Sequence, residues 1–153
     1  METTATTTTS KQIAWSTSCM AVYSSFVVIL PALLTNDIII RVLFTVTACV
    51  SILHHAYYYH EYCGKRFIDM FDTVIVHVIV AYCTYLAITS KQTPLIYTFY
   101  FCLAYVIYIY YIGRQVWIKG EAGDRWHVSL HFVAIFGTIC LLTSRGMLNI
   151  RYK

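Results

Sequence analysis

The chain has 153 residues, of which 59% are hydrophobic and only 12% are charged, and its formal net charge is +4. A soluble globular domain carries roughly 25% charged residues, so this composition excludes an ordinary soluble domain and indicates a membrane protein with several spans. The small positive charge gives no reason to expect a nucleic-acid partner.

Five apolar runs approach the roughly 20 residues that a helix needs to cross a bilayer. The threonine-rich start, residues 1–12, has low complexity and is predicted to be disordered. Residues 13–153 are predicted to form a single all-α domain, a polytopic bundle of five transmembrane helices. In chain order, the predicted spans are residues 13–34, 38–59, 67–89, 95–112 and 126–144. We therefore expect an integral, multi-pass membrane protein whose partners are membrane lipids.

The spans alternate in direction, so five of them place the two ends of the chain on opposite faces of the membrane. The face that holds the N-terminus carries six lysines and arginines: Lys11, Lys65, Arg66, Arg114, Lys119 and Arg125. The other face carries five: Arg41, Lys91, Arg145, Arg151 and Lys153. By the positive-inside rule, this margin of one residue favours a cytosolic N-terminus.

Polar side chains occur at three span ends that are predicted to meet on the N-terminal face. Ser51 and His55 lie four residues apart near the end of span 2. His127 and His131 have the same spacing at the start of span 5. A spacing of four stacks two side chains on one face of a helix, about 6 Å apart along its axis. Because ionisable groups are costly inside a membrane, those that occur there are usually functional.

The three histidines suggest a metal site. Three histidine nitrogens and one water form a recurring ligand set of catalytic zinc, in which the fourth position stays open. We therefore predict one zinc ion bound by His55, His127 and His131. Zinc lowers the pKa of its water toward about 7, which would supply hydroxide at neutral pH. The alternative is a hydrogen-bonded polar cluster that joins the helices without a metal.

Two further side chains are candidate catalytic groups. Asp72 lies near the start of span 3 and is predicted to hold the zinc-bound water and act as a general base. Asp69, almost one helical turn earlier, is the alternative carboxylate. Ser51 is predicted to hydrogen-bond the same water or the substrate oxygen.

The order of these motifs resembles the CREST superfamily, which includes alkaline ceramidases and the progestin and adipoQ receptors. The resemblance lies in Ser-x-x-x-His at the end of one span, an Asp early in the next, and His-x-x-x-His in the last. It implies that His55, His127 and His131 bind zinc, with Ser51 and Asp72 close to the metal-bound water. The gap of 17 residues from His55 to Asp72 looks like that of the adipoQ receptors. Members usually have seven helices, whereas this chain would be a shortened, five-helix form.

Two functions of different classes are compatible with these residues. The favoured one is a membrane-embedded, zinc-dependent hydrolase that cleaves an amide or ester bond of a membrane lipid, like a ceramidase or phospholipase. The alternative is a non-catalytic, receptor-like or scaffolding membrane protein in which a structural zinc joins spans 2, 3 and 5. Asp72 distinguishes the two, because a structural site needs its histidines but not this carboxylate.

Overall fold

The computed structural model describes residues 22–57, 65–117 and 123–149, and within these ranges it is helical and contains no strand. The predicted disordered tail, residues 1–12, lies outside the described residues. Five helices follow one another along the described ranges. They are α1 (Val22–Leu34), α2 (Ile38–Tyr57), α3 (Lys65–Ile88), α4 (Pro94–Trp117) and α5 (Gly123–Ser144).

Helices α2 to α5 are long and apolar enough to cross a bilayer, which confirms the predicted spans 2 to 5 as helices. Their membrane-length segments are Ile38–His55, Met70–Ile88, Pro94–Ile112 and Trp126–Ser144. Large apolar side chains also remain exposed on the outside, among them Phe101 and Tyr111, which are more than 70% exposed. Both features are consistent with a multi-pass integral membrane protein. The side of the membrane on which the N-terminus lies stays a prediction.

The predicted first span, residues 13–34, is described only over α1, and residues 13–21 lie outside the described part. A turn interrupts α1 at Val28 and Ile29, whose N–H groups donate to carbonyls three residues back rather than four. Pro31 is the physical reason, because a proline ring has no N–H to donate and clashes with the carbonyl four residues earlier. The proline therefore separates the segment Leu30–Leu34 from the preceding turns of α1.

Helix α5 packs most extensively against α4, while α2 lies between α1 and α3. Gly137 of α5 lies close against α4, since a Cβ atom built on it would be 2.7 Å from Cys102 Cβ. Only a glycine permits this backbone separation, because any side chain at position 137 would push the two helices apart. The buried core extends from here to the side chains of Ile96, Leu141 and Leu142, none of which is exposed to solvent.

The C-terminal end of α5 is closed by a Schellman motif. Gly146 adopts a φ of +65°, which a residue without a Cβ tolerates. Its N–H donates to Thr143 O at 3.0 Å, and the N–H of Met147 donates to Leu142 O at 2.9 Å. These bonds satisfy carbonyls that the helix leaves without partners at its end. The chain therefore turns back sharply after α5.

This returning segment is hydrogen-bonded to the link between α1 and α2. The N–H of Asn149 donates to Leu34 O at 2.7 Å, and the N–H of Asn36 donates to Met147 O at 3.0 Å. Arg145 ties the same end to the C-terminus of α3, since its Nη1 donates to Leu86 O at 2.6 Å. Together these bonds join the C-terminal ends of α1, α3 and α5. They therefore limit how far the three helices can slide along their axes relative to one another.

We predict that Gly137→Ala lowers the thermal stability of the detergent-purified protein, because the added methyl overlaps Cys102 Cβ. Overpacking of this kind costs about 1–3 kcal/mol. The matched variant Cys102→Gly removes the opposing Cβ, so the double variant is expected to be more stable than the sum of the two single effects predicts. Purely additive destabilisation in this double-mutant cycle would contradict the described approach of α4 and α5.

Candidate metal centre

Two helix ends supply the three histidines of the predicted site. His55 lies in the last turn of α2, and His127 and His131 lie in the first turns of α5. Since α5 begins at Gly123, both of its histidines are inside regular helix, and their spacing of four places them on the same face. The structure thus brings together side chains that are more than 70 residues apart in the chain.

The imidazoles form a compact group, which we call the histidine cluster (His55, His127 and His131). The Nε2 atoms of His55 and His127 lie 3.0 Å apart. One ring nitrogen from each of the three residues lies within 4.8 Å of the others. The rings meet edge-on, with centroids 4.7 Å apart for His55 and His127 and 4.6 Å apart for His127 and His131. His127 is therefore the central member of the cluster.

The histidine cluster could hold a metal ion. Tetrahedral zinc with Zn–N bonds of about 2.0–2.1 Å would separate its ligand nitrogens by about 3.3–3.4 Å. The Nε2 atoms of His55 and His127 are 3.0 Å apart, and all three ligand nitrogens lie within 4.8 Å of one another, so the spacing is compatible with a shared ion. Imidazole nitrogen also suits copper, iron and nickel, and the donor set alone therefore defines a transition-metal site for which zinc is the predicted ion.

Helix α1 contributes two hydroxyls that sequence reasoning missed. Ser24 Oγ lies 2.9 Å from His131 Nδ1, and Ser25 Oγ lies 2.9 Å from Ser51 Oγ. All three serines are at most 3% exposed. The available signal in the sequence was a pair of adjacent hydroxyls within an otherwise apolar run. Hydropathy did not single them out, because serine is nearly neutral on such scales and occurs in many spans.

The two predicted catalytic residues line one cavity with part of the histidine cluster. Ser51 and Asp72 share its wall with His127 and His131, and its volume is about 160 Å³. Ser51 is buried on α2, whereas Asp72 is half-buried on α3. The side chain of Asp69, the alternative carboxylate, lies outside the described part of the structure.

Away from this polar end, the cavity wall is mainly apolar. Its lining includes Phe44, Val76, Val80, Phe99, Leu103 and Ile135. The exposed lining residues Thr73, His77 and Tyr110 belong to α3 and α4. The two helices make little backbone contact over their described ranges, and both contribute side chains to the cavity wall together with α5.

Two further histidines lie near the cluster but have other contacts. The ring of His54 packs edge-on against His55, with centroids 4.9 Å apart. His77 lines the cavity, and its Nδ1 lies 2.6 Å from Thr73 O in the same helix, a geometry in which the ring N–H donates to the carbonyl. Neither residue belongs to the group of close ring nitrogens, which supports the prediction of three ligands rather than four or five.

Comparisons with protein-family models, curated protein sequences and solved structures found no match for this chain. The resemblance to CREST proteins stays a prediction based on the motifs that contain Ser51, His55, Asp72, His127 and His131. The functional argument therefore depends on the geometry of these residues and of the cavity beside them.

We predict that the purified protein contains about one equivalent of zinc, and that His127→Ala abolishes zinc binding. His127 is the central member of the cluster, so its loss leaves two nitrogens that are too few for tight binding. His77→Ala is the matched control, because it removes an imidazole from the same cavity without touching the cluster. Elemental analysis of the three proteins measures the outcome. An absence of zinc from the wild type, or iron in its place, would contradict the predicted zinc centre.

Proposed function

We propose that the protein is a zinc-dependent hydrolase that cleaves an amide or ester bond of a membrane lipid. The observation that supports this most strongly is the set of residues that line the cavity. The cavity is lined by the polar side chains of Ser51, Asp72, His127 and His131, and the rest of its wall is mainly apolar. A lipid has the same division, since its polar linkage sits at the end of a hydrocarbon chain.

The residues of the chain have separable roles in such a reaction. When bound to the histidine cluster, zinc supplies a Lewis acid for the carbonyl oxygen and hydroxide at neutral pH. Asp72 accepts the proton of the attacking water and returns it to the leaving nitrogen or oxygen, so that water is added across the cleaved bond. With Ser25 as the donor in the bond between the two serines, the Ser51 hydroxyl can donate to the developing oxyanion.

The size of the cavity restricts how a lipid substrate binds. A cavity of about 150 Å³ accommodates a group the size of benzene. The volume here, about 160 Å³, is therefore enough for the reacting linkage and a short hydrocarbon segment. The remainder of the hydrocarbon chain would extend past the exposed lining residues of α3 and α4, which include Thr73, His77 and Tyr110.

A second candidate function is a structural metal site in a receptor-like or scaffolding protein. The observation that favours it is the scarcity of backbone contact between α2 and α5. The 3.0 Å contact between His55 and His127 links these helices directly, and a shared ion would strengthen the link. This function needs the histidine cluster and has no use for a carboxylate beside it, so Asp72 separates the two proposals.

We predict that Asp72→Asn retains zinc but lowers turnover by about 100-fold or more, because a general base contributes roughly 10²–10⁴ to the rate. The assay is the release of fatty acid from mixed ceramides and phospholipids by the protein in detergent micelles. Asp37→Asn is the matched control. Asp37 accepts the N–H of Ile40 at 2.9 Å at the opposite end of α2, and asparagine caps helices equally well.

The control is expected to keep both zinc and turnover. A wild-type protein that is monodisperse and fully loaded with zinc, yet releases no fatty acid, would support the structural site instead. Equal turnover by Asp72→Asn and wild type would contradict the role of Asp72 while leaving the hydrolase proposal intact.

A further inference from the structure

We infer that Ser24 is a positioning residue for the metal centre, which holds His131 in the orientation and tautomer that present Nε2 to the ion. This inference rests on the proposed zinc site. Ser24 belongs to α1 and contacts His131 across 107 residues of sequence, at 2.9 Å between Oγ and Nδ1. Ser24 is 3% exposed and His131 is 9% exposed, so water is largely excluded from this contact.

The contact determines which nitrogen of His131 is left for a ligand role. A neutral imidazole carries one N–H and one lone pair, and a metal ion requires the lone pair. Because Ser24 occupies Nδ1, the nitrogen that remains for the cluster is Nε2. Coordination through Nε2 leaves the proton on Nδ1, which then donates to Ser24 Oγ. Metal-binding histidines usually donate their second N–H to an oxygen in this way, and the bond fixes the ring and raises its basicity.

The neighbouring serine shows that this role is specific to position 24. Successive residues of a helix point about 100° apart. Ser24 accordingly contacts His131 on α5, whereas Ser25 contacts Ser51 on α2 at the same distance of 2.9 Å. Both hydroxyls are buried and both belong to one turn of α1, and the described hydrogen bond to a histidine of the cluster is the one made by Ser24. The chain therefore contains its own matched control.

The test measures metal affinity and coordination rather than turnover. Ser24→Ala is expected to weaken zinc binding by about 10- to 100-fold in competition with a chelating indicator, the usual effect of removing such a hydrogen bond. It is also expected to alter the visible d–d absorption of bound Co²⁺, since His131 is freed to rotate. Ser24→Thr keeps a hydroxyl and is expected to restore both properties. Ser25→Ala loses an equally buried hydroxyl and is expected to match the wild type.

The outcomes distinguish the role of Ser24 from the proposed zinc site on which it rests. A wild-type protein that binds neither zinc nor Co²⁺ overturns both. A wild type that binds both ions, together with a Ser24→Ala variant of equal affinity and unchanged Co²⁺ spectrum, overturns only the role of Ser24. Equal losses of affinity in Ser24→Ala and Ser25→Ala would assign the effect to the packing of α1 and would also overturn that role.

Discussion

The contact between His55 and His127 is the interaction on which the organisation of the site depends. It joins α2 to α5 at 3.0 Å, although the described parts of these helices make little backbone contact. Imidazoles that are buried or half-buried in an apolar bundle need polar partners, because unsatisfied buried polar groups cost several kcal/mol each. The histidine cluster satisfies this requirement by internal contact, and the same arrangement brings three nitrogens close enough to share an ion.

Helix α1 makes hydrogen bonds to both helices that carry the histidine cluster. Its two adjacent serines bond to opposite partners, Ser24 to His131 on α5 and Ser25 to Ser51 on α2. It therefore bridges the two helices that supply the histidine cluster, and does so beside the cluster itself. The interruption caused by Pro31 separates this serine-bearing turn from the last segment of α1, Leu30–Leu34.

The two ends of the bundle have different physical characters. At the end opposite the cluster, backbone bonds and Arg145 join the last residues of α1, α3 and α5 into one hydrogen-bonded layer. At the cluster end, side chains of α2, α3, α4 and α5 line a cavity whose wall is mainly apolar. The bundle is thus joined by backbone hydrogen bonds at one end and by contacts between imidazoles and hydroxyls at the other.

The spans and much of the candidate site could be predicted from the sequence, and the rest required the tertiary structure. Length and apolar composition determine where a helix can cross a bilayer, so spans 2 to 5 were predictable to within a few residues. Alternating direction then places His55, Asp72, His127 and His131 on one face. Rotation of each helix about its axis is set by packing with distant segments and leaves no local signal. For this reason only the tertiary structure decided that Ser24 contacts His131, that Gly137 lies against Cys102, and that α3 and α4 contribute to one cavity.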